Sequence, residues 1–147
     1  MSEADPAAVR MTGLEQLHAM LASGRRPGIT NTLDFSIVEV EEGRAVIAGT
    51  PDERVYNPLG SVHGGYAATL LDSACGIAVH SKMAPGQSYT TLELKIAYHK
   101  GMSAGTGEVR AIGTVISMGR RVAFAEAKLT DAEGRLLASA TSTLLVM

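Results

Sequence analysis

A chain of 147 residues, 46% apolar and 19% charged, fits one globular domain with a real core. Its net charge of −2, with basic residues scattered along the chain, excludes a broad nucleic-acid surface and leaves room only for a small basic spot. The single cysteine, Cys75, excludes an intrachain disulfide, and its apolar setting reads as core rather than as a catalytic thiol.

Residues 1–12 read as a loose lead-in whose acidic start lacks the apolar stretch of a signal peptide. Leu14, Leu17, His18 and Leu21 keep helical spacing, and Gly24 with Pro27 ends it. This predicts a short amphipathic helix over 13–24, with His18 as a packing residue. Strands are predicted at about 33–41 and 44–51, turned at Glu41-Glu42-Gly43. Residues 52–61 form a loop punctuated by Pro and Gly. The most apolar stretch then predicts a helix over 63–82, ended by Pro85-Gly86. It is apolar nearly all round, so burial is expected. Its small residues, among them Ala67, Ala68, Ala74 and Gly76, let a curved sheet approach closely.

Everything after Gly86 reads as strand. In 88–99, Thr90, Leu92, Leu94 and Ile96 alternate with Thr91, Glu93, Lys95 and Ala97. Strands at 105–118, 121–130 and 135–146 follow, joined in part by the short turns 118–120 and 131–134, so they must be antiparallel. The expected fold is α+β: one domain, 1–147, in which an antiparallel sheet of about five to six strands wraps a central helix. No apolar run approaches the ~20 residues that span a bilayer, so a cytoplasmic protein without membrane or nucleic-acid partners is expected.

Asp72 lies in the middle of the apolar helix. A carboxylate there is costly unless paired or hydrogen-bonded. Catalysis explains it; a structural carboxylate bonded to backbone N–H groups is the other reading. The segment Asn57-Pro58-Leu59-Gly60-Ser61-Val62-His63-Gly64-Gly65 leads into the same helix. The first N–H groups of a helix lack internal partners and carry partial positive charge. With glycines leaving the backbone open, they suit an oxyanion hole, to which the Asn57 amide can add a hydrogen bond. A tight turn with close packing explains Gly64-Gly65 equally well.

His63 and Asp72 are nine residues apart, two and a half turns, so they point to opposite sides and are separated by roughly 13 Å. If they cooperate, a second copy must bring its Asp72 to this Gly64, in a two-fold dimer. His80 and His99 have no metal-ligand spacing and read as surface or packing residues. Lys100, Arg120 and Arg121 either meet phosphates or only solvate turns. No Gly-x-Ser-x-Gly elbow is present.

Asn57, Gly60, His63-Gly64-Gly65, Leu71-Asp72 and Thr91-Leu92-Glu93-Leu94-Lys95-Ile96-Ala97-Tyr98, in this order, resemble the hotdog-fold acyl-CoA thioesterases. The phenylacetic-acid-degradation branch is the most similar, from about residue 33 to the C-terminus. His99 stands where that family usually has Pro. The resemblance implies hydrolysis of acyl-CoA to free acid and coenzyme A, with no cofactor beyond the coenzyme A of the substrate. It implies a homodimer joined along the strand of Thr91, commonly paired again into a homotetramer. Gly64 N–H, with Gly65 beside it, would polarise the thioester carbonyl, and His63 and Asn57 would shape that side. The partner's Asp72 would act as nucleophile or general base. Thr91, with Thr90 as its neighbouring alternative, would orient water or the carboxylate. Lys100, Arg120 and Arg121 are candidates for the coenzyme A phosphates, and the N-terminal helix for covering the acyl group. A non-catalytic acyl-CoA or small-ligand binding module and a hotdog hydratase or dehydratase using His63 are the alternatives.

Overall fold

Every predicted strand forms in the computed structural model, which describes residues 6, 10–26 and 28–147. Most of the predicted lead-in lies outside the described residues. The strands are β1 (Phe35–Glu41), β2 (Arg44–Gly49), β3 (Tyr89–Tyr98), β4 (Val109–Met118), β5 (Val122–Thr130) and β6 (Leu136–Val146). They make one antiparallel sheet in the order β1-β2-β4-β5-β6-β3. The helices are α1 (Gly13–Ser23), a single turn α2 (Ile29–Thr32) that the sequence did not predict, and α3 (Gly64–His80). None is long and apolar enough to cross a membrane, among the described residues.

The sheet curls around α3 because its inward positions are small. Ala111, Gly113, Ala123, Ala125, Ala127, Ala138 and Ala140 are all buried. Larger groups, Phe35, Ile47, Leu70, Leu71, Leu129 and Leu144, fill the space on either side. At Gly113 strand backbone meets helix backbone: an added Cβ would fall on the Ala74 carbonyl and 3.0 Å from its Cβ.

The helix is not buried all round. His63 and Gly65 are exposed, and Thr69, Asp72, Ser73 and Ile77 are half-exposed. Gly65, Thr69, Asp72 and Ser73 follow helical spacing along the side that faces away from the sheet. The small residues of α3 read as uniformly apolar, but one curved sheet covers only one side of a cylinder. Strand β3 also departs from plain alternation. Thr91 pairs with Leu144 and Glu93 with Thr143, so Leu92 is an extra residue, a β-bulge. The bulge resets the period of two. Tyr89 and Thr91 before it, and Leu94 and Ile96 after it, form the half-buried set.

Thr12 caps α1, accepting from Glu15 N–H at 3.2 Å, and Gly24 ends it with φ 70°. Leu17 is buried, whereas His18 is exposed, its Nε2 3.3 Å from the Val40 carbonyl, so it is not the packing residue its spacing suggested. His80 Nε2 meets Gln16 Oε1 at 2.9 Å, and Gly13 N–H donates to Met83 O at 2.9 Å. These bonds dock α1 onto the end of α3. Burial holds the His80 imidazole below its ordinary pKa. The unfolded chain therefore takes up the proton first, and stability falls as pH drops through about 6.5. Tm is expected to fall between about pH 8 and about pH 5.5, and His80→Gln, which cannot titrate, is expected to flatten that slope.

Candidate active site

The loop before α3 is tied by its own side chains. Asn57 Oδ1 accepts from Leu59 N–H at 2.9 Å and Ser61 N–H at 3.2 Å, while its Nδ2 donates to Ser61 Oγ at 3.0 Å. His63 N–H donates to Val55 O at 2.8 Å, which sets the entry into the helix. His63 is the N-cap: its Nδ1 accepts from Gly65 N–H at 2.7 Å. That bond needs Nδ1 without a proton, so the neutral ring carries its hydrogen on the exposed Nε2. Gly64 N–H, by contrast, has no acceptor among the described residues. It stands at the positive end of a 17-residue helix.

Tyr98 builds the other wall. Its hydroxyl donates to Gly64 O at 2.6 Å, and a Cβ at position 64 would come 3.0 Å from the same hydroxyl oxygen. A side chain at position 64 would thus crowd the Tyr98 ring. A cavity of about 170 Å³ opens here, lined by Gly64, Ala67, Tyr98, His99, Lys100 and Met102 among others. Tyr98 was not singled out from sequence. Its signal was strand parity, because residues 94, 96 and 98 share the face that turns toward α3 once the bulge is counted.

Farther along α3, Thr91 Oγ1 donates to Asp72 Oδ1 at 2.9 Å. Asp72 Oδ2 has no protein partner among the described residues. The bulge thus brings Thr91 to the carboxylate, and Thr90 is exposed. Asp72 is half-exposed rather than buried, and a hydroxyl rather than backbone N–H groups holds it. Cys75, one turn on, is fully buried. Burial, then the charges of Asp72 and Glu126, pushes its thiol up to about 12, which removes it as a nucleophile.

Within one chain the two groups stay apart. Gly64 and Asp72 are separated by a rise of about 12 Å on one helix. Lys100 lies beside Gly64. Arg120 and Arg121, both exposed, lie in the β4–β5 turn at the opposite end of the sheet. The register shows this: Val122 pairs with Leu145 and Tyr89 with Val146, whereas Tyr98 pairs with Ala138. Gly65 N–H is occupied by the His63 cap, and the Asn57 amide is largely spent inside its own loop.

Residues 59–138 match the thioesterase superfamily. The 1,4-dihydroxy-2-naphthoyl-CoA hydrolase of Listeria monocytogenes is 30% identical over 119 residues, 81% of this chain and 95% of that protein. Acyl-coenzyme A thioesterase 13 of Mus musculus is 29% identical over 121 residues, 80% and 84% of the two chains. The PaaI protein of the Escherichia coli phenylacetic acid degradation operon superposes with a TM-score of 0.79 at 20% identity, covering 95% of this chain and 96% of that one, a likeness of fold.

Proposed function

Because this chain belongs to the thioesterase superfamily, we propose that it hydrolyses acyl-CoA thioesters at sites that two copies of the chain complete together. The observation that carries the reading is the Gly64 N–H, left without an acceptor among the described residues at the start of α3 while the His63 ring takes the neighbouring N–H. A donor so placed suits the oxygen of a thioester carbonyl as it becomes an oxyanion. His63, with Nε2–H outward, and Asn57, which holds the loop, shape that side.

Asp72 comes from the second copy. Thr91 holds one carboxylate oxygen, leaving Oδ2 for the reaction. In the general-base form, Oδ2 takes a proton from water as the water oxygen bonds to the carbonyl carbon. The oxyanion then collapses, the C–S bond breaks, and coenzyme A leaves as thiolate to be protonated. In the nucleophilic form, the carboxylate attacks the carbonyl carbon, the C–S bond breaks to release coenzyme A thiolate, and water then hydrolyses the mixed anhydride. Lys100 at the mouth of the Gly64 cavity favours the phosphates of coenzyme A. Arg120 and Arg121 can serve only from another copy if they reach the same nucleotide. No further cofactor enters, and residues 1–147 act as one domain.

Strand β3 supports the pairing. It is an edge of the sheet, and Leu92 and Tyr98 are each 56% exposed on it. A second β3 would cover these side chains and bring each Asp72 toward the partner's Gly64, in a homodimer able to pair again. A thiol-release screen over short, medium, long and aryl acyl-CoAs tests the reading. Turnover of at least one class is expected. Tight binding without thiol release across the panel would make the protein a binding module instead.

A further inference from the structure

Around Gly64 the backbone is held by four hydrogen bonds. His63 N–H donates to Val55 O at 2.8 Å, and His63 O accepts from Tyr66 N–H at 3.0 Å. Gly65 N–H donates to His63 Nδ1 at 2.7 Å, and Gly64 O accepts from the Tyr98 hydroxyl at 2.6 Å. The Gly64 N–H stands among these bonds and takes part in none of them. Three of the four come from neighbouring chain; the fourth comes from β3, 34 residues farther on.

We propose that Tyr98 is a positioning residue for the reaction: through the Gly64 carbonyl, its hydroxyl keeps the Gly64 N–H aimed at the thioester oxygen. The proposal rests on the thioesterase reading above and adds a residue that the reading does not use. A helix that starts on Gly64-Gly65 is loose, because neither residue has a Cβ to restrict φ and ψ. If the peptide plane between the two glycines turns, the preceding plane, which carries the Gly64 N–H, is free to turn with it. Tyr98 holds the carbonyl end of that plane and His63 the N–H end, so rotation has to break one of two short bonds. Aim matters here, since a hydrogen bond weakens steeply as its angle closes, and an oxyanion donor acts by being oriented in advance.

The hydroxyl has a single proton, and Gly64 O receives it, so Tyr98 offers an incoming carbonyl oxygen no proton of its own. Its effect therefore passes through the backbone. Strand β3 in this way holds both groups of α3 that the proposed reaction uses: Thr91 Oγ1 donates to Asp72 Oδ1 at 2.9 Å, and Tyr98 donates to Gly64 O. In a regular strand residues 91 and 98 would face opposite sides, because an odd separation reverses the face. The extra residue Leu92 cancels the odd count and turns both hydroxyls toward the helix.

The test is Tyr98→Phe in the full chain, which removes the hydroxyl and keeps the ring. Tyr98 is 56% exposed, so the fold is expected to stand. With the acyl-CoA that the wild type turns over fastest, kcat is expected to fall about tenfold while KM stays within about twofold. A trifluoromethyl ketone analogue of that acyl-CoA, which places a negative oxygen where the oxyanion forms, should bind about tenfold more weakly to the variant. The thioether that lacks the carbonyl should bind both proteins equally. Unchanged kcat, a rise in KM alone, or equal weakening of both analogues overturns the proposal and leaves Tyr98 as a cavity wall. Absence of thiol release from the wild type counts against the thioesterase reading instead. Amide hydrogen exchange then decides Tyr98 by itself: Gly65 N–H should exchange about tenfold faster in Tyr98→Phe, and an unchanged rate overturns the proposal.

Discussion

Asp72→Asn is expected to lower kcat for thiol release by about 10³-fold while leaving the fold, the oligomer and acyl-CoA binding in place. The substitution keeps the shape of the side chain and an oxygen able to accept from Thr91 Oγ1, now 2.9 Å away. It removes the negative charge and the ability to take a proton or form an anhydride. The local contacts therefore survive and only the chemistry is lost. Circular dichroism and binding of acyl-CoA by calorimetry check the first part, and single-turnover thiol release checks the second. Turnover within about threefold of wild type would return Asp72 to the structural reading, since a positioned base contributes far more than that.

A large effect on stability is expected at Gly113. Gly113→Ala should cost about 3 kcal/mol in urea unfolding. The added Cβ meets the Ala74 carbonyl and Cβ, and both partners belong to regular elements of the core that cannot swing aside. Relief requires α3 to lift from β4. Asp72 lies two residues before Ala74, so the same movement draws it from Thr91, and kcat is expected to fall with stability. Gly101→Ala is the control: a Cβ there meets nothing within 4 Å, so its change should stay within about 0.5 kcal/mol. Equal behaviour of the two variants would mean that the helix and sheet have room to separate.

The strands were legible because alternation and short turns leave few antiparallel arrangements, and the glycine after Ser23 marked the end of α1 as its left-handed geometry requires. The bulge at Leu92 was not legible. A period of two reads through an inserted residue without a break, and it assigned Thr91 to the side opposite Leu94 and Ile96. Parity past the bulge also carries Tyr98 to Gly64, so one inserted residue hid a wall of the site. The open stripe on α3 was masked by its small side chains, which score as apolar whether or not anything covers them. His63 was picked out for chemistry, but its bond to Gly65 N–H is a cap from a residue type outside the usual capping set. That Gly64 and Asp72 of one chain lie well apart was readable from helix geometry alone.

Sheet order has a consequence for synthesis on the ribosome. Strand β3 is hydrogen-bonded in the sheet only to β6, the last strand made, and the bonded pair Glu93 and Thr143 are 50 residues apart. At translation rates of about 5–20 residues per second, Thr91 waits several seconds for the backbone that fixes it. Throughout that interval the nascent chain holds Asp72 without its orienting hydroxyl, and the strand that would receive a partner copy has nothing to lean on. On the proposed reading, hydrolytic competence and pairing between copies therefore wait for the same event, the zipping of β6 between β5 and β3.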